Sequence, residues 1–153
     1  MQEETHIYEM ADNNFPAEFF ISESNSGYDK ERDFTSLIAW KNARDVKLFF
    51  YDTIIPKLPP TEKYNLADQI RRGSISITAN ISEGYGRYHY KESVQYYRIS
   101  RGSLFELKDH LISCRDLKYI DEDLLRDGTR LLEKSKISLN GFINYVRTKT
   151  KTK

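Results

Sequence analysis

Apolar residues recur at helical spacing along four stretches of the chain. In the clearest stretch, consecutive members of the apolar row are three or four residues apart, a spacing that places side chains on one face of an α-helix. That row is Leu66, Ile70, Gly73, Ile77, Ile81 and Gly84. No segment of the sequence alternates apolar and polar residues convincingly, as a half-buried strand does. The pattern therefore predicts an all-α fold.

Three similar rows predict three more helices, of which helix three is expected from about Tyr90 to Tyr119. The rows are Leu37, Trp40, Ala43, Val46, Phe50 and Ile54 in helix one, Tyr97, Leu104, Leu107, Leu111 and Cys114 in helix three, and Leu124, Leu131, Leu139, Phe142 and Val146 in helix four. Four amphipathic helices joined by short connectors predict an antiparallel up-down-up-down four-helix bundle.

Residues that commonly start helices lie where the rows begin. Asp33 or Thr35 can cap helix one, and Asp121 can cap helix four. The connector after helix one is rich in proline, and Pro60 or Thr61 can start helix two.

Three glycines fall where they need an explanation. Gly73 and Gly102 lie in the middle of helices two and three, where glycine costs about 1 kcal/mol relative to alanine. We expect close helix packing at both positions. Gly84 is the last member of the row of helix two, and with Gly86 it is expected to end that helix in a turn.

Polar residues follow helical spacing beside the apolar rows of helices two and three. Two such rows on consecutive antiparallel helices would face each other. An acid such as Glu83 or Glu106, half-buried near Arg72 and Asn80, would be held by charge-assisted hydrogen bonds that set the register of the helices. The residues of this predicted polar lock are Gln69, Arg72, Asn80, Glu83, Ser103 and Glu106.

The same acids allow two other interpretations: a catalytic pair of carboxylates, Glu83 and Glu106, or a metal site that adds His110. A di-iron bundle uses Glu-x-x-His motifs, whereas Glu106 and His110 are four residues apart. Zinc ligands are also too few, with one cysteine in the chain. Nucleophilic triads, Walker loops and dinucleotide-binding glycine patterns are absent from the sequence. We expect no catalytic residue, no metal and no cofactor.

Length and charge divide the chain into three segments. A chain of 153 residues is long enough for one domain with a sizeable core. Residues 1–33 carry nine acids and two bases, a net charge of −7, and are expected to form a mostly disordered leader. The remainder carries 22 bases and 14 acids, a net charge of +8. Residues 34–148 are expected to form the bundle, and residues 149–153 a basic tail.

The sequence also favours a cytoplasmic location. Its acidic start lacks the positive and apolar stretches of a signal peptide. No apolar run approaches the roughly 18 residues of a membrane span, so no membrane association is expected. The single Cys114 cannot form an internal disulfide. Because Cys114 lies in an apolar row, we interpret it as a core residue and not as a nucleophile.

A strip of cations follows the other flank of helix three and continues across the turn before it. Its members are Arg71, Arg87, Lys91, Arg98, Arg101, Lys108 and Arg115. Tyr90, Tyr96 and Phe105 lie near the strip, and cations interleaved with aromatic rings suit RNA binding. The alternative is a solvated face, since Glu92, Asp109 and Asp116 are close in sequence.

Two linked motifs resemble a known family. The segments DQIRRGSISITANISEGYGR at 68–87 and ISRGSLFEL at 99–107 are similar to the bacterial four-helix bundle proteins encoded within intervening sequences of 23S ribosomal RNA genes. The likeness extends from Phe34 to about Thr148. Characteristic positions of the family are present at Gln69, Arg72, Ser74, Ile75, Asn80, Glu83, Gly84, Gly102, Ser103 and Glu106.

The resemblance implies an up-down bundle that assembles as a ring, a homopentamer, without catalysis. A more distant similarity, to the accessory variability determinant proteins of diversity-generating retroelements, implies a basic surface that binds nucleic acid. Ile75, which points away from the apolar row, is the candidate contact between subunits. The long acidic leader lies outside the family pattern.

The sequence thus predicts a non-enzymatic ring whose repeated cationic strips bind structured RNA or another nucleic acid. One alternative is a protein-interaction scaffold whose leader recruits a protein partner. The other is an enzyme, such as a nuclease using Glu83 and Glu106.

Overall fold

The computed structural model describes residues 33–87 and 89–151. Apart from Asp33, the predicted leader lies outside the described residues. A 3-10 turn, Phe34–Ser36, precedes the first helix, which continues as a π-helical turn, Phe50–Ile54, and a 3-10 turn, Ile55–Lys57. The four α-helices are α1 Ile38–Phe49, α2 Leu66–Gly86, α3 Tyr90–Asp116 and α4 Glu122–Lys151.

The helices pack as an antiparallel bundle in which each contacts two neighbours. Across α2 and α3, Ser76 meets Ser103 and Ile77 meets Ser100, so residue numbers rise along one helix as they fall along the other. Across α1 and α4, the Asn42 amide donates 3.0 Å to the Ser138 hydroxyl. The predicted four-helix bundle is confirmed.

The core contains most of the four predicted apolar rows. Phe50, Ile77, Leu107 and Leu139 are fully buried and represent the four segments in turn. Trp40 is only half-buried and packs against the edge of the core, where its ring meets Phe34 at 5.3 Å between centroids. Leu66, Leu124 and Leu131 are also half-buried at the edge of the core.

The starts of the helices agree with the sequence at one of three sites. Asp121 caps α4, because its Oδ1 accepts a hydrogen bond of 2.9 Å from the Leu124 backbone. Neither Asp33 nor Thr35 caps α1, which begins at Ile38 after an intervening turn. Pro60 starts only a 3-10 turn, and α2 begins six residues later.

Of the two glycines predicted at close helix contacts, Gly73 lies at one and Gly102 does not. Gly84, which was predicted to end helix two in a turn, lies inside α2 at a close contact. A Cβ at Gly73 would lie 3.0 Å from Leu107, and one at Gly84 would lie 2.6 Å from the Tyr97 ring. Gly102 is exposed, and no described residue lies within 4 Å of the position its Cβ would take, so the prediction of close packing within the bundle there is wrong. A close contact that the sequence did not suggest is Gly128 in α4, against Leu111 and Phe49.

Helix α4 continues through Lys151, so part of the predicted basic tail extends the helix. In the described part of the chain, no helix is both long and apolar enough to cross a membrane.

Candidate nucleic-acid interface

The predicted cationic strip divides into two parts according to its surroundings. Lys91 and Arg98 lie on the outer face of α3, are exposed, and have no ion-pair partner within residues 33–87 and 89–151. Arg101 is half-buried, and its Nη1 donates a hydrogen bond of 2.9 Å to Asn140 Oδ1 on α4. Because the Asn140 amide is neutral, this hydrogen bond positions the Arg101 guanidinium without cancelling its charge. The first half of α3 therefore presents three cations that form no ion pair with the described residues.

The second half of the strip is paired with acids. Lys108 Nζ donates 3.2 Å to Glu133 on α4. Arg115 donates a hydrogen bond of 2.9 Å to Glu122 and one of 2.8 Å to Asp116, and both raise the pKa of its guanidinium. These cations hold α3 against α4 and offer less net charge to a ligand.

The remaining members of the strip are Arg71 on α2 and Arg87, which directly follows α2. Arg87 donates a hydrogen bond of 2.6 Å to Glu83 and one of 2.7 Å to the Tyr96 hydroxyl. The hydrogen bond to Glu83 is the main cause of the raised pKa of the Arg87 guanidinium. Its guanidinium also lies 4.9 Å from the Tyr96 ring centroid. Arg71 donates 3.3 Å to the Lys63 carbonyl in the α1–α2 connector. Whether these residues bind nucleic acid stays a prediction.

The predicted polar lock consists of fewer groups than expected. The hydroxyls of Ser76 and Ser103 are 2.8 Å apart, and the Asn80 amide donates 2.9 Å to the Ser76 hydroxyl. Ser100, which the sequence did not single out, donates 2.6 Å to the Ile77 carbonyl and is fully buried. Short side chains thus make the polar contact between α2 and α3.

The charged members of the lock do not join that contact, contrary to the prediction. Arg72 is 2.6 Å from Asp68, Glu83 pairs with Arg87, and Glu106 is 3.3 Å from His110. Each pair joins residues four apart along the chain, and the Arg72, Glu83 and Glu106 side chains are between 47% and 71% exposed. Gln69 is exposed as well. These side chains point away from the apolar row, where water solvates them at a lower cost than burial would impose.

The placement of the acids bears on the enzyme alternative. Since α2 and α3 are antiparallel and Ser76 lies opposite Ser103, Glu83 and Glu106 are separated by about 15 Å along the bundle. Over residues 33–87 and 89–151, no group of three or more His, Cys, Asp or Glu side chains could hold a metal ion. Burial raises the pKa of Cys114 to about 11, and the nearby charge of Glu62 adds to the shift.

Ile75, the predicted subunit contact, is 53% exposed on α2. Ile99 on α3 is also exposed, whereas Ser74, next to Ile75, is fully buried, and its hydroxyl has no hydrogen-bond partner among the described residues. Lys136 of α4 is another residue that the sequence did not single out. It is buried, and its Nζ lies 2.5 Å from a carboxylate oxygen of Glu133 and 5.4 Å from the Phe105 ring centroid. The only sequence signal for that ion pair is the i,i+3 spacing of Glu133 and Lys136.

Comparison with known families gives one result. The family model described as "23S rRNA-intervening sequence protein" matches residues 35–141, which include α1, α2, α3 and the first two thirds of α4. The match confirms the resemblance read from the two motifs. No curated protein matches the chain.

Proposed function

The chain belongs to the 23S rRNA-intervening sequence protein family, and on this premise we propose that it is a non-enzymatic bundle that assembles as a ring and binds structured RNA. The ring is proposed to be a homopentamer with Ile75 at the contact between subunits. Each subunit contributes its own copy of the cations on α3. Several weak sites on one ring then act at high effective concentration.

The observation that supports RNA binding is the unbalanced charge on the first half of α3. Lys91 and Arg98 have no ion-pair partner among the described residues, and Arg101 is held by a neutral amide. Cations in this state can contact phosphates without first breaking a salt bridge. The nucleic-acid contact is therefore proposed to centre on these three residues and to extend less to Lys108 and Arg115, which acids already bind.

The test is the affinity of the full-length protein for a structured ribosomal RNA fragment across a salt series, with duplex DNA as the comparison. We expect affinity in the micromolar range or better that prefers RNA and falls steeply as salt rises, because phosphate contacts release counterions. The Lys91→Gln, Arg98→Gln double variant should weaken binding and reduce the salt slope by about 2 for each subunit that contacts the RNA.

The matched control is Arg126→Gln on α4, an exposed arginine that is paired with Asp123 at the other end of the bundle. Its loss should leave the affinity and the salt slope unchanged. Absence of binding even at low salt would refute the proposal.

A protein-interaction scaffold is the second candidate. It is favoured by the pairing of Lys108 and Arg115 with acids and by the exposed apolar side chains Ile75 and Ile99. Deleting residues 1–33 separates the two candidates. If the acidic leader screens the cations of the bundle, its removal strengthens RNA binding. If the leader recruits a protein partner, its removal abolishes that interaction and has no effect on RNA.

A further inference from the structure

The side chain of Phe105 is the most exposed phenylalanine of the described bundle and lies on the outer face of α3. It is 56% exposed and does not belong to the hydrophobic core or to the half-buried layer around it. Arg101 precedes it by one helical turn and Lys108 follows it by nearly one turn, so both lie on its side of the helix. Lys136 reaches across from α4 and places its Nζ 5.4 Å from the ring centroid. An open aromatic ring is thus surrounded by cations from two helices.

The cations around the ring differ in their partners. Arg101 bonds the neutral amide of Asn140 at 2.9 Å. Glu133 is shared by two lysines: it accepts a hydrogen bond of 3.2 Å from Lys108 and forms an ion pair of 2.5 Å with Lys136. Burial alone would raise the pKa of Glu133, but the hydrogen bonds from the two lysines outweigh it and lower the pKa. Glu133 is therefore ionised at neutral pH and is shared by Lys108 and Lys136.

Two further charged residues lie on this face of α3. Asp109, one turn after Phe105 on α3, is the other acid on this face, and Arg98 adds a cation on the same side of the helix. Glu106 is adjacent to Phe105 in sequence, but it points toward the α2 side and approaches His110 at 3.3 Å. The ring accordingly lies in a positively charged surface with its apolar area open to solvent.

We infer that Phe105 is a stacking platform for an unpaired base of single-stranded RNA, and that Arg101, which is held by the neutral amide of Asn140, binds a phosphate beside that base. Every base offers a π-face to such a ring, whatever its sequence. In a duplex the bases are already stacked, and the deep major groove of A-form RNA closes their edges to side chains. The preferred ligand is therefore a loop, a bulge or a free strand. This inference rests on the proposed RNA binding and names the kind of RNA bound.

The test uses the full-length protein and two labelled RNAs of equal length: single-stranded oligouridine and a fully paired duplex. Affinities are measured by fluorescence anisotropy for the wild type, Phe105→Ala, Phe105→Leu and Phe105→Trp. Leucine keeps the apolar bulk without the π-face, whereas tryptophan keeps the π-face. We expect the alanine and leucine variants to bind the single strand roughly 5- to 150-fold more weakly. The tryptophan variant should bind it as the wild type does, and duplex binding should change less than about 2-fold in all variants.

The matched control is Tyr64→Ala. Tyr64 is 85% exposed and lies beside a lysine, with Lys63 Nζ 5.0 Å from its ring centroid, but it is in the α1–α2 connector. Its loss should leave both affinities unchanged. Circular dichroism and thermal unfolding verify that each variant is folded, which the exposure of Phe105 leads us to expect.

Three results would overturn the inference, and they separate it from the proposed function. Equal binding of the single strand by wild type, Phe105→Ala and Phe105→Leu would remove the stacking role while RNA binding stands. Failure of the wild type to bind either RNA would remove both. A smaller assembly mass for Phe105→Ala, measured without RNA, would make Phe105 a contact between subunits and not a base platform.

Discussion

The phenol of Tyr119 donates a hydrogen bond of 2.9 Å to Glu62 Oε1, joining two connectors that are 57 residues apart in sequence. The other carboxylate oxygen of Glu62 accepts 3.1 Å from the Leu66 backbone at the start of α2. Glu62 therefore caps α2 and ties the α1–α2 connector to the α3–α4 connector. Both hydrogen bonds require acceptor oxygens, which an ionised carboxylate provides.

Stability should fall in acid as Glu62 is protonated. The hydrogen bond from the Leu66 backbone, followed by that from Tyr119, lowers the pKa of Glu62. A carboxyl whose pKa is lower in the folded state contributes stability above its unfolded pKa, about 4.3, and that contribution is lost as pH falls through the folded pKa. Measured by urea unfolding, the free energy of unfolding of the wild type should fall between pH 7 and pH 3. Glu62→Gln should be less stable than the wild type at pH 7 and should lose less stability over this pH range. Parallel pH profiles for the two proteins would contradict this.

Two glycine substitutions should have opposite effects. Gly102→Ala should stabilise the bundle by about 1 kcal/mol, because α3 gains helix propensity and the methyl group meets open space. Gly84→Ala should destabilise it by about 1–3 kcal/mol, because the methyl group would overlap the buried Tyr97 ring and approach the Ser93 carbonyl at 3.0 Å. Urea midpoints of the two variants measure this. A lower midpoint for Gly102→Ala than for the wild type would show that another molecule packs against that face.

The buried contact between α1 and α4 predicts a further loss of stability. Ser138→Ala removes the acceptor of the Asn42 amide, which is only 9% exposed. A buried donor left unsatisfied costs about 1–3 kcal/mol in the free energy of unfolding. Ser82→Ala is the control, since its hydroxyl bonds only the Ala79 carbonyl of its own helix, and it should change stability by less than about 0.5 kcal/mol. Equal losses in both variants would count against the role of the Asn42 contact.

The thiol of Cys114 should be inert in the native protein. With a pKa of about 11, it is far less ionised at pH 8 than an ordinary cysteine. Reaction with a colorimetric disulfide reagent should be at least about 100-fold slower in the folded protein than in denaturant. Rapid modification under native conditions would show that the core opens near Cys114.

The proposed ring gives a prediction for Ile75. Replacing this exposed side chain by glutamate would place a charge in an apolar contact, so Ile75→Glu should reduce the assembly mass measured by light scattering. Leu48→Glu is the control, because Leu48 is an exposed apolar residue on α1 and is not a proposed contact. An unchanged mass for Ile75→Glu would exclude this residue from the interface, and a monomeric wild type would exclude the ring.

Apolar periodicity was sufficient to predict the four helices and their antiparallel order. Ile70, Ile77 and Ile81 lie on one face of a helix, and this face is removed from water when the helix packs it against its neighbours. The cap at Asp121 was also readable, because capping depends on residues three apart in sequence.

The partners of the long charged side chains could not be predicted in the same way. Arg101 meets Asn140, and Lys108 meets Glu133, only because α3 and α4 lie in one particular register. Many rotamers of an arginine or a lysine reach several acceptors, so spacing along one helix does not identify the partner on another. The prediction of close helix packing at Gly102 was also wrong. The sequence places this glycine in the middle of α3, but the prediction assigned it to the side of the helix that faces the core.

An even number of antiparallel helices returns the chain to the end of the bundle where it started. Asp33 and Lys151 are therefore at the same end, which is also the end where α3 begins at Tyr90, next to Lys91. A surface linker attached beside Asp33 or Lys151 would hold the molecule with this end against the support and would shield its cations from a ligand in solution. Immobilisation through the opposite end, at the exposed Tyr64 of the α1–α2 connector, would leave them accessible.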